Sequence, residues 1–202
     1  LGDPEVKVLS ENQAYREIEK LSASRANKGK VLDALEEAMD VAVQNVPDIA
    51  GDTFSSSDNS GSMGSTISEK SSVNRQDIAN LLQSILYTKS KNGLVSIFGD
   101  HFKFKTFSRR NMLDNVNSIV NNEVGSSTNA WLTIDRLLHD KTKVDRIVII
   151  SEEETYNSHW GGDKTIAGLL AEYRRKINPN VYVYMINVAG YGTSSVHQDD
   201  PR

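Results

Sequence analysis

Asp58-Asn59-Ser60-Gly61-Ser62-Met63 is the stretch whose reading decides the fold. It lies between a short extended segment at about 53–57 and an amphipathic segment at 73–89. In the latter, Ile78, Leu81, Leu82, Ile85 and Leu86 recur at helical spacing. A strand, a loop of oxygen-bearing side chains and then a helix is how an open parallel α/β sheet builds a ligand site at the carboxyl end of a strand. By itself D-x-S-x-S is a weak signal, because a Ser-rich loop (55–72) with an Asx turn accounts for it equally well. Its placement and the loops that match it downstream give it weight.

Outward from this loop the chain alternates. Upstream, Val31, Leu35, Ala38, Met39, Ala42, Val43 and Val46 predict a helix over 28–46, closed by Pro47 and Gly51. A weaker helical pattern covers 11–27, with Tyr15, Ile18 and Leu21 on one side. The helix at 73–89 is expected to start from Ser71 or Ser72 as its N-cap. Downstream, a strand at 94–98 turns through Gly99-Asp100 into a strand at 102–107, where Phe alternates with Lys as on an edge strand with one wet face. Helices follow at 111–121 and at 130–139, the latter with Trp131, Ile134, Leu137 and Leu138 on one stripe. Ile147-Val148-Ile149-Ile150 marks a strand at 144–150 buried on both faces. A helix at 163–177 and a strand at 181–188 complete the order, with Tyr182 and Tyr184 expected to be half-buried on one face. The prediction is an α/β, Rossmann-like domain over 51–202: a mostly parallel sheet with one antiparallel edge strand and helices on both faces. Residues 1–50 form a helical extension, and the start at Leu1 suggests a piece of a longer protein.

Composition narrows the function. With 38% hydrophobic and 25% charged residues the chain is globular. No apolar run approaches the roughly 20 residues of a membrane helix, and no charged-then-apolar start suggests a signal peptide. The absence of cysteine removes disulfides and thiolate metal sites, and the expected location is the cytoplasm. The net charge of -4 argues against a free-standing nucleic-acid binder. The basic clusters are small (Lys103 with Lys105; Arg109 with Arg110; Arg174, Arg175 and Lys176) and read as solvated surface.

Three loops are predicted to converge at one sheet edge: Asp58 to Ser62, Ser127-Thr128-Asn129, and Ser151-Glu152-Glu153-Glu154-Thr155. They offer hard oxygen ligands, which suit Mg²⁺ first, with Mn²⁺ or Ca²⁺ as alternatives, and not zinc. His101, His139, His159 and His197 show no ligand spacing. Neither a Walker A sequence nor G-x-S-x-G is present. Glu154, Tyr156, His159 and Trp160 follow the acidic loop as a candidate partner-binding surface.

These residues resemble the metal-ion-dependent adhesion site (MIDAS) of von Willebrand factor A (vWA) domains, built from D-x-S-x-S, a Thr and a distal Asp. Further stretches resemble the vWA half of the Ro ribonucleoprotein family (TROVE or Rsr-like): Leu32-Asp33-Ala34-Leu35 through Asn45-Val46-Pro47, Ile150-Ser151-Glu152-Glu153-Glu154-Thr155, and Val188-Ala189-Gly190-Tyr191-Gly192 with Gln198-Asp199-Asp200-Pro201-Arg202. The resemblance implies that Ser60 and Ser62 ligate directly, that Asp58 ligates or orients the serines, and that Thr128 ligates directly or through water. Glu152 stands where the family has Asp, so its longer side chain either coordinates or holds a water in a shifted place. Thr53-Phe54-Ser55-Ser56-Ser57 departs too, being far more polar than the strand usual there. By the same resemblance residues 1–50 end a helical-repeat ring that binds Y RNA and misfolded RNA in RNA quality control. The domain then binds an acidic group of a protein partner at its metal and catalyses nothing. The alternative is a MIDAS-dependent protein-interaction domain without an RNA role. A metal-dependent phosphodiesterase would have Glu154 as its one obvious base.

Overall fold

The computed structural model describes residues 13–14, 16–18, 25–68, 71–152 and 164–189, with the backbone alone at 25–29 and 31. Strands β1 (Ile49–Asp58), β2 (Ser90–Phe98), β3 (Phe102–Lys105), β4 (Arg146–Ser151) and β5 (Tyr182–Asn187) form one sheet in the order β3-β2-β1-β4-β5. β1 runs parallel to both β2 and β4, and β4 runs parallel to β5; β3 pairs antiparallel with β2 at the edge. The flanking helices are α1 (Arg25–Gln44), α2 (Arg75–Lys89), α3 (Met112–Asn117), α4 (Trp131–His139) and α5 (Ile166–Lys176). Residues 13–14 and 16–18 are helical as well, and the remainder of the expected 11–27 helix up to α1 lies outside the described residues. The mostly parallel sheet with one antiparallel edge strand is the architecture read from the sequence.

The two-residue period of β4 shows why the sheet needs helices on both faces. Ile147 and Ile149 bury themselves with Ile134 and Leu137 of α4 and with Leu169, Leu170 and Tyr173 of α5. Val148 and Ile150 point the other way, onto Met63 and Ala79, with Leu82 and Leu86 of α2 behind them. α1 joins the same body: Met39, Ala42 and Val43 share a buried cluster with Leu81 and Ile85 of α2 and Met112, Leu113 and Val116 of α3.

The polar first strand is a real strand, and a longer one than its sequence predicts. The buried hydroxyls of Ser55 and Ser56 find partners across the sheet and from a helix, while Ser57 Oγ is buried with none among the described residues. Ser56 Oγ accepts from Ser96 Oγ of β2 at 2.8 Å and from Thr133 Oγ1 of α4 at 3.0 Å. Ser55 Oγ donates to the Leu94 carbonyl at 3.5 Å. Such pairing offsets the desolvation that burying a hydroxyl would otherwise cost.

Three sequence expectations are corrected. The N-cap of α2 is Asn74, not Ser71 or Ser72. Its side chain accepts from Asp77 N–H, and the Asp77 carboxylate accepts from Asn74 N–H, a reciprocal box that neither serine makes. Tyr182 and Tyr184, 49% and 48% exposed, are half-buried on one face of β5 as expected. The lysine face of β3 is not simply wet, since Lys103 and Lys105 both pair with Glu123, while Phe104 on the other face is 41% exposed. The helix expected at 111–121 ends at Asn117, where Ser118 Oγ donates to the Asn115 carbonyl. Among the described residues no helix is long and apolar enough to cross a membrane.

Candidate metal centre

β1 and β4 are neighbours in parallel register, Ser57 opposite Ile150, so their carboxyl ends deliver Asp58 and Ser151 side by side. Asp58 is fully buried. One carboxylate oxygen accepts from Ser151 Oγ at 2.7 Å and the other from Ser60 N–H at 2.9 Å. Burial pushes its pKa up to about 6; the bonds from Ser60 and Ser151 oppose the rise, and the charge of Glu152 adds to it. The chain then turns through a 3₁₀ segment, Gly61–Gly64, anchored by buried Met63.

The Ser60 and Ser62 hydroxyls lie 3.2 Å apart. Two adjacent oxygen ligands at right angles on Mg²⁺, each at about 2.1 Å, would be roughly 3.0 Å apart, so the pair has the spacing such an ion requires. Thr128 is buried on a loop that reaches the same place, since a Cβ on Gly61 would stand 3.8 Å from Ser126 Cβ. That loop is braced by the Asp100 carboxylate, which accepts from Ser126 N–H at 3.3 Å and Ser127 N–H at 3.1 Å. Asn59, also buried, ties the serine loop to the segment before it: its amide donates to Gln76 Oε1 at 3.1 Å and the Val120 carbonyl at 2.9 Å, and its oxygen accepts from Val124 N–H at 3.2 Å.

Glu152 is fully buried directly after β4. Its Oε2 is ion-paired with the guanidinium of Arg75, the first residue of α2. Its Oε1 is buried with no hydrogen-bond partner among the described residues. An orphaned carboxylate oxygen, a second buried carboxylate and a hydroxyl pair at ligand spacing fit a small divalent cation. Among the described residues no three His, Cys, Asp or Glu side chains come together, so hydroxyls would make up the rest of the donor set. That chemistry suits Mg²⁺ or Mn²⁺ over zinc.

The structure thus gathers Asp58, Ser60, Ser62 and Glu152, and carries Thr128 on the adjoining loop. Glu154, Tyr156, His159 and Trp160 lie outside the described residues. His101 is exposed, and exposed His139 pairs with Asp140 at 2.9 Å. Sequence reasoning missed Arg75, Asn59 and Asp100 as site-forming residues. Ser151 stood beside Glu152 in the acidic loop, but nothing in its spacing announced a bond to Asp58; the parallel pairing of β1 and β4 is what creates it.

No protein-family model matches this sequence, and no curated protein does. Among solved structures, the chain is similar to the Ro (RSR) protein of Deinococcus radiodurans, with a TM-score of 0.73 at 18% identity over 96% of this chain and 40% of that one. This chain therefore spans less than half the length of that protein. A more distant likeness, TM-score 0.46 at 17% identity, is to an aerotolerance-related membrane protein from Bacteroides fragilis, over 66% of this chain and 65% of that one. The sheet order, the antiparallel edge strand and the two helical layers are those of the Rossmann-like von Willebrand factor A fold, and the chain shares that fold with part of the Deinococcus Ro protein.

Proposed function

We propose that this domain is a metal-dependent binding module of a Ro-like RNA-binding protein. The observation that carries the metal reading is the buried, unpartnered Glu152 Oε1 beside Asp58, together with hydroxyls 3.2 Å apart at the carboxyl edge of the sheet. Asp58, Ser60, Ser62, Thr128 and Glu152 would hold Mg²⁺ or Mn²⁺. An ion so held, with one position open, would accept an acidic oxygen from a protein partner. The chain's own residues do the rest: Ser151 and the Ser60 N–H orient Asp58, and Asn59 and Asp100 hold the loops in place. No catalytic step is assigned.

The RNA role rests on the likeness to the Ro protein and on the family motifs in the sequence. Y RNA and misfolded RNA would be bound by the rest of a longer protein, because this chain offers little for a polyanion. Its 23 basic residues face 27 acidic ones. Lys103 and Lys105 are occupied by Glu123, and Arg109 donates to the Thr88, Ser90 and Lys91 carbonyls. Fluorescence anisotropy with single-stranded RNA, at matched salt, tests this on the 202-residue chain and on the longer protein. Weak binding by the chain and tight binding by the longer protein is the expected result. If neither binds, the Ro-like role falls and a protein-interaction domain without RNA takes its place.

A further inference from the structure

Glu152 has one neighbour that no ligand set accounts for. Arg75 opens α2 with its backbone fixed: its N–H donates to the Ser65 carbonyl at 3.0 Å, and the residue before it is the Asn74 cap. From that anchored start its side chain, 19% exposed, reaches Glu152, whose side chain is 1% exposed, and pairs through Nη1 with Oε2. Glu152 directly follows β4 and Asp58 ends the neighbouring parallel strand β1, both fully buried. Among the described residues the site therefore holds two buried carboxylates and one guanidinium. Burying a carboxylate without a counter-charge is costly, and a guanidinium beside it is the usual remedy.

We propose that Arg75 is a resident counter-ion of this site. It neutralises Glu152 in the metal-free protein through Oε2, and its positive charge stays beside any cation that binds the other oxygen, Oε1. It thereby sets the affinity for a divalent cation below what the oxygen set alone would give. The inference rests on the metal-site reading above. Two features carry it independently of any family pattern: among the described residues the ion pair engages one oxygen of Glu152, and the other is buried with no hydrogen-bond partner. A purely structural clamp would be expected to engage both oxygens, as the planar fork of arginine allows. Arg75 is the more exposed member of the pair, 19% against 1% for Glu152.

The test is Mn²⁺ binding to the 202-residue chain, followed by calorimetry and by the electron paramagnetic resonance signal of free Mn²⁺. Arg75→Gln removes the competing charge and should tighten Mn²⁺ binding about tenfold or more at low ionic strength, with the gain shrinking as salt screens it. Arg75→Lys keeps a charge without the fork and should fall between the two. In the Glu152→Gln background the Arg75→Gln gain should largely vanish, since the carboxylate that Arg75 pairs with is gone. Stability in EDTA is measured alongside, and if Arg75→Gln does not fold, Arg75→Lys carries the comparison. Wild-type binding that Arg75→Gln and Arg75→Lys leave unchanged or weaken overturns the counter-ion role while leaving the metal site standing. No Mn²⁺ binding by wild type or either variant, all folded, overturns the metal site and this inference with it.

Discussion

Asp58→Asn separates the energetic cost of this site from its use. The Asp58 carboxylate is fully buried, and its pKa is raised from an ordinary 3.8 to about 6. That difference corresponds to roughly 3 kcal/mol by which folding disfavours the ionised form. An asparagine keeps the shape: its oxygen can still accept from Ser60 N–H, and its amide can donate to Ser151 Oγ, so neither partner is stranded. The metal-free variant should therefore be more stable than the parent at neutral pH, by about 1–3 kcal/mol once imperfect amide geometry is allowed for. The sign follows from proton linkage. Between about pH 4 and pH 6 the folded parent binds more protons at this residue than the unfolded chain does, so this group lowers stability as pH rises through that window. The advantage of Asp58→Asn should be complete above pH 7, shrink as pH falls through 6, and disappear near 4. Urea denaturation followed by circular dichroism, in EDTA across this range, measures it. Millimolar Mg²⁺ should then stabilise the parent and leave the variant unchanged. A variant less stable than the parent at pH 8, with no dependence of the difference on pH, would refute the view that Asp58 is held ionised at a cost to the fold.

Three further outcomes are expected. Gly125→Ala should cost about 1–3 kcal/mol, because Gly125 has φ +92 and a Cβ there would meet the Asp100 carboxylate at 2.1 Å; weakened Mg²⁺ binding in calorimetry should accompany the loss, since that carboxylate braces the Thr128 loop. Tyr173→Phe should destabilise by about 1–2 kcal/mol in urea titrations, as the buried hydroxyl accepts from Val144 N–H at 3.0 Å and donates to the Thr142 carbonyl at 2.9 Å. Glu152→Ala should weaken Mn²⁺ affinity, and Glu152→Asp should shift it, because shortening the side chain withdraws it from Arg75; calorimetry that shows neither would place Glu152 outside the metal's surroundings.

Local pattern along the chain is enough to give the order of elements and to point to the loops of the candidate site. The Ile147–Ile150 run and the helical stripes are local patterns, and burial follows them closely: Ile147, Ile149 and Ile150 are fully buried, as are Ile134 and Leu137. Asp58, Ser60 and Ser62 were legible because D-x-S-x-S occupies one turn, where spacing along the chain is spacing in space. The strand at 49–58 was harder to read, since its serines look like loop until Ser96 and Thr133, 40 and 77 residues away, supply partners for Ser56. The same reason hid Arg75 and Ser151. Ser151 reaches Asp58 across 93 residues through the parallel pairing of β1 with β4, and Arg75 pairs with Glu152 across 77 from the start of α2, which packs on Val148 and Ile150 of β4. Hydrophobic period is a property of the chain, legible residue by residue; a charge pair or a hydrogen bond between distant segments exists only once the sheet has set which strands are neighbours.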